Sequence, residues 1–173
     1  DIIINREFGP VQIGSAKAEV VQLLGEPDGV SNPEVFPENY ESVIYDWFEF
    51  TFNKGLLERF HHKSILTRDY KFNANFNYKN EKFSVSHWFK NLNEDLKLNN
   101  VRNWLMMKEL NFIEEPFYDS IRVIVDSQVE LQFHSKLAYH KYPEEWQKDS
   151  PENLNWQLGA FYVTSNKTKY NKT

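Results

Sequence analysis

The sequence predicts an α+β protein built from tandem helix-plus-antiparallel-strand units, with the helices packed on one face of an antiparallel sheet. Three observations lead to this fold class. Two segments have the apolar spacing of amphipathic helices, two regions alternate apolar and polar residues as hairpin strands do, and helix and hairpin recur in the same order along the 173 residues. We expect a single domain over residues 1–173, with two pseudo-repeats at about 10–70 and 95–165.

The first unit begins with a short helix. Ser15 is a good N-cap, an apolar stripe that includes Val20 and Leu24 follows it, and Gly25 and Pro27 end the helix. After a loop rich in Pro, Asn and Gly, the segment Ser42–Asn53 is dense in aromatic and β-branched residues, which favour strands.

A hairpin follows within this unit. Phe48, Phe50 and Phe52 alternate with Glu49 and Thr51, so a strand would place three rings on one face and the polar groups on the other. The turn and the return strand are predicted at Asn53–Gly55 and Leu56–Lys63.

The second unit follows a polar connector at about residues 73–82, for which we expect at most one edge strand. Apolar residues are again spaced as on one face of a helix from Leu98 to Lys108. This helix is predicted to have Asn99 or Asn100 as its N-cap and to end near Asn111. The strands predicted after this helix are Ile121–Asp126, a strand through Val129, Leu131 and Phe133, and, after a long excursion over Lys136–Asn155, Leu158–Ser165.

The two hairpins share a local pattern. Each has an aspartate (Asp46 or Asp126), a turn, and then an apolar, Glu, apolar, polar, Phe sequence, with one residue inserted in the second copy. The strand of Phe48, Phe50 and Phe52 should therefore occupy a place in the fold equivalent to that of Val129, Leu131 and Phe133.

Composition narrows the classes of function. The 25 acidic and 20 basic side chains give a formal charge of -5, which argues against direct binding of nucleic acid. The chain has no cysteine, so it has no disulfide, no thiolate zinc site and no lipid-accepting cysteine. No apolar run is long enough to predict a membrane span, and we expect a cytoplasmic protein that needs no cofactor.

Candidate catalytic residues are few, and we expect no catalytic residue and no metal ligand. His61 and His62 are adjacent on a predicted strand, so their side chains point to opposite faces, and Glu58 shares only loosely the face of His62. A metal-dependent hydrolase that uses this region is the alternative hypothesis. The six glycines form no phosphate-binding loop, which argues against nucleotide enzymes.

Aromatic residues interleaved with carboxylates indicate a protein-binding surface, because Tyr and Trp give large contact areas and carboxylates on the rim attract a basic partner. Two segments have this character. The predicted partner-binding residues are Glu114, Glu115, Tyr118 and Asp119 in the first segment, and Tyr139, Tyr142, Glu144, Glu145 and Trp146 in the second.

The helix phrase from Ile13 to Pro27, followed by the Phe-Glu-Phe-Thr-Phe strand, resembles bacterial immunity proteins encoded beside polymorphic toxins, including those of contact-dependent growth inhibition. It is also similar to the fold group of the outer-membrane assembly lipoprotein and the β-lactamase-inhibitor protein, in which a helix and a strand meander repeat in tandem. The resemblance implies a non-enzymatic protein that binds a cognate toxin domain, often a basic nuclease. An envelope-assembly module is a second implied role, although this chain lacks the lipid-accepting cysteine of that branch.

Overall fold

The main feature of the fold is an eight-stranded antiparallel sheet, which a computed structural model describes together with three helices and two short hairpins. The described residues are 2–31, 38–62, 78–85, 96–117, 120–134 and 157–165. An α+β fold dominated by an antiparallel sheet is thereby confirmed. Within the described part of the chain, no helix has the length and apolar character required to cross a membrane.

The described elements follow one another in two similar series, preceded by an N-terminal segment. That segment comprises α1 (Ile2–Asn5), β1 (Glu7–Phe8) and β2 (Val11–Gln12). The first half contains α2 (Lys17–Leu24), β3 (Gly29–Val30), β4 (Tyr40–Tyr45), β5 (Phe48–Asn53) and β6 (Leu56–His62). A hairpin of β7 (Tyr78–Lys79) and β8 (Ser84–Val85) precedes the second half, which contains α3 (Leu98–Met107), β9 (Phe112–Phe117), β10 (Ser120–Val125), β11 (Val129–His134) and β12 (Gln157–Thr164).

The strand order of the sheet is β3-β4-β5-β6-β12-β11-β10-β9, so the two halves meet where β6 pairs with β12. Each half contributes four of the strands in the described part of the chain, and β5 and β11 each lie one strand away from this junction. The strand of Phe48 and the strand of Val129 thus occupy equivalent places, as the shared sequence pattern predicts.

The halves also agree in irregular details. The register shifts between Thr51 and Phe52 in one half and between Gln132 and Phe133 in the other, which leaves one extra residue at the same point of β6 and β12. At the start of these strands, the N–H of Leu57 donates to the Ser15 carbonyl at 2.8 Å, and that of Leu158 donates to the Leu96 carbonyl at 2.9 Å. Each acceptor lies two residues before a helix, so each helix is attached to its own sheet in the same way.

One continuous core covers one side of the sheet. Phe50 and Leu131, from the equivalent strands, are fully buried in it, and the fourth and eighth residues of each helix pack into it. Those helix residues are Val20 and Leu24 in α2 and Val101 and Leu105 in α3.

Ion pairs link the helices to the same side of the sheet. Lys17 of α2 pairs with Glu41, whose register partner is the core residue Phe52. Arg102 of α3 pairs with Glu114, whose register partner is the core residue Val123. Directly opposed residues point to the same face, so both helices contact the core-facing side.

The N-terminal segment, which sequence reasoning missed, connects the halves. Phe8 is fully buried, and its ring lies 4.6 Å from that of Phe48 and 5.1 Å from that of Phe50, measured between centroids. Arg6 reaches the other half, where one of its terminal nitrogens donates to Asp126 Oδ2 at 2.9 Å. The segment is therefore in contact with the core of the first half and with a turn of the second.

The helix starts and several strands differ from the prediction. Ala16 and Lys97 occupy the N-cap positions with extended backbones and no side-chain capping bond, in place of Ser15 and of Asn99 or Asn100. Ala16 pairs with Leu56 at the start of β6, and Leu96, the residue before Lys97, accepts a hydrogen bond from Leu158 of β12. These backbone contacts order both helix starts without a capping side chain. The segment Ser42–Asn53 divides at the Asp46 turn into β4 and β5, while β3 and β9 were not predicted as strands.

Candidate functional site: the polar face of the sheet

The side of the sheet opposite the core carries ionisable and hydroxyl side chains, and we call it the polar face. Its central members are Ser42, Glu49, His61, Arg122 and Tyr162, which alternate along their strands with core residues. The first four of these are buried, so they hold fixed positions. Two clusters of polar side chains form on this face, one in each half.

The cluster of the first half is centred on Glu49. Its Oε1 atom accepts hydrogen bonds from the hydroxyls of Ser31 at 2.9 Å and Ser42 at 2.6 Å. Its Oε2 atom lies 3.7 Å from Nε2 of His61. The two serine hydroxyls hold this buried carboxylate in a defined orientation.

The cluster of the second half is centred on Arg122. Its guanidinium pairs with the Glu115 carboxylate and lies 3.5 Å from Oε2 of Glu130. The ring of Phe117 lies 4.5 Å from its central carbon, within the range of a cation–π contact. A buried arginine with two carboxylates and a ring is held in one position, and it holds Glu115 in turn.

The two clusters occupy equivalent positions. Glu49 pairs in register with Ile44, and Glu130 pairs in register with Ile124. Ser42 and Arg122 therefore correspond to each other, since each lies two residues before its isoleucine. The same backbone thus carries a carboxylate with hydroxyl donors in one half and an arginine between carboxylates in the other.

The centre of the polar face lies at the junction of the halves. His61 is the register partner of Tyr162, and their rings stack with centroids 5.0 Å apart and planes inclined by 22°. Arg59 lies nearby on β6, with its central carbon 6.0 Å from the centroid of the Tyr162 ring.

The placement of the two histidines bears on the hydrolase alternative. His62 is fully buried on the core side, with its ring 4.9 Å from that of Phe48, whereas His61 lies on the polar face. Glu58, the extra residue of the β6 irregularity, hydrogen-bonds the Tyr40 hydroxyl, and this contact is the main cause that raises the pKa of Tyr40. Among the described residues, no three side chains of the metal-binding types converge.

The strand turns at the end of the sheet differ in charge between the halves. Burial and the nearby Asp28 carboxylate raise the pKa of Asp46, and burial, Tyr78 and the carboxylates of Glu26 and Asp28 raise the pKa of Tyr45 to about 12. At the equivalent turn of the second half, Arg6 neutralises Asp126.

The predicted partner-binding residues are only partly within the described chain. Glu114 forms its ion pair with Arg102 beneath α3, where 5% of its side chain is exposed, whereas 38% of the Glu115 side chain is exposed on the polar face. Outside the described residues lie Tyr118, Asp119, Tyr139, Tyr142, Glu144, Glu145 and Trp146.

Sequence reasoning missed Ile113, which is 61% exposed and lies on β9 two residues before Glu115. Side chains two residues apart on a strand share a face, so an exposed isoleucine and a positioned carboxylate lie together at the outer strand of the sheet. An isoleucine followed by two glutamates is a weak signal for this arrangement, because the residues that face the helix can be identified only once the register is known.

No protein-family model, curated protein or solved structure matches this chain.

Proposed function

We propose that this chain is a cytoplasmic immunity protein, which binds a cognate bacterial toxin domain and neutralises it without catalysis of its own. The observation that carries the proposal is the pairing of Ile113 and Glu115 on β9. The isoleucine is 61% exposed, and the Arg122 guanidinium fixes the carboxylate beside it. Exposed apolar area next to an oriented charge is a common arrangement in protein interfaces.

The formal charge of -5 supports a basic partner, such as a nuclease domain. Carboxylates around a contact surface accelerate the encounter with a positively charged protein, and they do so most at low salt. Because Arg122 already orders the Glu115 side chain, binding would cost less side-chain entropy than contact with a mobile glutamate.

The hydrolase alternative receives no support from the arrangement of its residues. His61 and His62 lie on opposite sides of β6, and Glu58 bonds Tyr40, so these three groups do not converge on one substrate or one ion. We therefore advance the binding function alone.

The proposal is tested by co-expressing the chain with the product of the adjacent upstream gene. We expect the two proteins to co-purify and the toxicity of that product to be relieved. Ile113→Asp and Glu115→Lys should each weaken the complex by about tenfold or more, as measured by calorimetry, because each residue would lie in the contact.

Glu19→Lys is the matched control, since Glu19 is an exposed glutamate on α2, on the other side of the sheet. It changes the net charge by the same amount as Glu115→Lys and should leave the affinity within about twofold. If the two proteins fail to associate, the immunity function is wrong. If they associate and the β9 variants bind as tightly as Glu19→Lys, the contact surface lies elsewhere.

A further inference from the structure

Arg59 differs from the other described arginines in its electrostatic environment. Arg6 pairs with Asp126, Arg102 with Glu114, and Arg122 with Glu115 and Glu130. Within the described chain, Arg59 forms no such ion pair; its guanidinium lies over the Tyr162 ring, and the nearest carboxylate is that of its chain neighbour Glu58.

The position of Arg59 makes the lack of an ion pair energetically unfavourable. Its register partners are Thr51 on β5 and Thr164 on β12, so it lies close to the centre of the polar face. Its Nε atom is withdrawn from water and has no hydrogen-bond acceptor among the described residues, while the residue as a whole is half-buried. A partly desolvated cation without a direct ion pair is less stable than a paired one, and an arriving anion would reduce that penalty.

We propose that Arg59 is a binding site for a carboxylate presented by a partner protein, as an aspartate or glutamate side chain. The exposed end of the guanidinium offers a planar fork of donors that matches the two oxygens of a carboxylate. The Tyr162 ring supports the guanidinium from one side through a cation–π contact. This site lies beyond the proposed function, because it requires neither the toxin nor the β9 surface.

The surroundings favour a carboxylate over a phosphate. The Tyr40 hydroxyl feels both the Glu58 carboxylate and the Arg59 guanidinium, so these two charges are close neighbours. The Glu58 carboxylate repels a phosphate dianion about twice as strongly as a carboxylate monoanion at the same distance. Beside Glu58, the carboxylate of an amino-acid side chain is therefore favoured over a phosphate.

The second half provides an internal comparison. The residue of β12 equivalent to Arg59 is Ala160, since both follow the extra residue of the strand irregularity. The alanine shows that this place in the backbone does not need an arginine for folding. Arg59→Ala therefore introduces in β6 the same side chain that β12 has at the corresponding position.

The experiment uses nuclear magnetic resonance of the full chain, with acetate as the probe at constant ionic strength. We expect the Arg59 Nε–H signal and the backbone amides of Thr51 and Thr164 to shift and saturate as acetate is added. The Nε–H signal of Arg102 is the internal control, because Glu114 already occupies that guanidinium. Phosphate at pH 7.5 should bind about threefold or more weakly than acetate, owing to Glu58.

Two variants complete the test. Arg59→Lys keeps the charge but loses the fork, so acetate should bind about fivefold more weakly, and Arg59→Ala should abolish the saturable shift. An unchanged Arg102 signal verifies that both variants are folded. Linear shifts that chloride reproduces, or saturation that persists in Arg59→Ala, would overturn the site. Tighter binding of phosphate than of acetate would overturn its assignment to carboxylates.

Discussion

The two halves of the sheet share their backbone but differ in how they satisfy polar groups. Among the described residues, both have four antiparallel strands, the same irregularity near the start of the last strand and the same hydrogen bond before the helix. On the polar face, Ser31 and Ser42 orient Glu49 in the first half, whereas Arg122 is held between Glu115 and Glu130 in the second. Backbone pairing and core packing therefore determine the architecture, and the polar side chains can differ without changing it.

Phe8 is the ring that the N-terminal segment inserts into the first half, and it is fully buried there. Phe8→Ala should lower the free energy of unfolding by about 4 kcal/mol, because it leaves a cavity among the rings of Phe48, Phe50 and Phe60. Urea denaturation measures the loss. Since one core spans both halves, hydrogen exchange should accelerate equally at the equivalent amides of Phe50 and Leu131.

Val30→Ala is the control, as this side chain is 69% exposed, and it should change the stability by less than about 0.5 kcal/mol. If the Leu131 amide stayed protected from hydrogen exchange while the Phe50 amide lost its protection, a single core would be contradicted. The two halves would then unfold as separate units.

The helix–sheet ion pairs offer a second contrast. The Arg102 and Glu114 side chains are 12% and 5% exposed, against 34% and 42% for Lys17 and Glu41. Glu114→Gln should lower the free energy of unfolding by about 3 kcal/mol, because it leaves a buried guanidinium without its counter-charge. Glu41→Gln should cost less than about 1 kcal/mol, because water solvates the remaining lysine. Thermal denaturation of both variants measures the difference, and equal losses would show that burial does not separate these pairs.

The extra residue at the strand irregularity distinguishes the halves on a smaller scale. It is Glu58 in β6 and Gly159 in β12, and a methyl group on Gly159 would overlap the ring of His134. Gly159→Ala should therefore destabilise the protein by about 2 kcal/mol in urea denaturation. Glu58→Ala, the change at the corresponding place in the other half, creates no overlap and should cost about 1 kcal/mol or less, through loss of the hydrogen bond with Tyr40. A neutral Gly159→Ala would mean that the His134 ring moves aside without loss.

The two equivalent turns contain Asp46 and Asp126, and removing these charges should change the stability in opposite directions. The raised pKa of Asp46 means that its charge destabilises the folded state. This cost is absent below the ordinary pKa of an aspartate and complete above the raised value, so stability falls as pH rises between the two. Asp46→Asn should stabilise the protein at pH 7 by at most about 0.5 kcal/mol, since the group is largely exposed.

Asp126→Asn should instead destabilise by up to about 1 kcal/mol, because it removes the counter-charge of Arg6. Thermal melts at pH 7 and pH 3 check both variants, and the benefit of Asp46→Asn should disappear at pH 3. A shift of the same sign for both variants at pH 7 would contradict the difference between the two turns.

Sequence patterns predicted the elements that bury side chains at regular intervals. Apolar and polar residues must alternate along a strand that covers a core with one face. This alternation identified the two equivalent strands, one with Phe48, Phe50 and Phe52 and the other with Val129, Leu131 and Phe133. The opposite orientations of His61 and His62 follow from the same geometry and are confirmed.

Features that depend on distant partners could not be predicted. β3 has two residues, too few to form a pattern, and β9 contains Pro116 and two adjacent glutamates, which look like a loop. That Glu114 faces Arg102 while Glu115 faces Arg122 depends on the strand register and on where α3 lies. Local propensity contains neither piece of information.

The junction of the halves has a consequence for synthesis of the chain on the ribosome. β6 ends at His62, but its neighbour β12 starts at Gln157, roughly 100 residues later. At translation rates of about 5–20 residues per second, the first half would wait roughly 5 to 20 s with β6 as an unpaired edge. During that interval the nascent chain could join a strand of another polypeptide. Chaperone binding should therefore peak before residue 157 emerges and fall once β12 has paired.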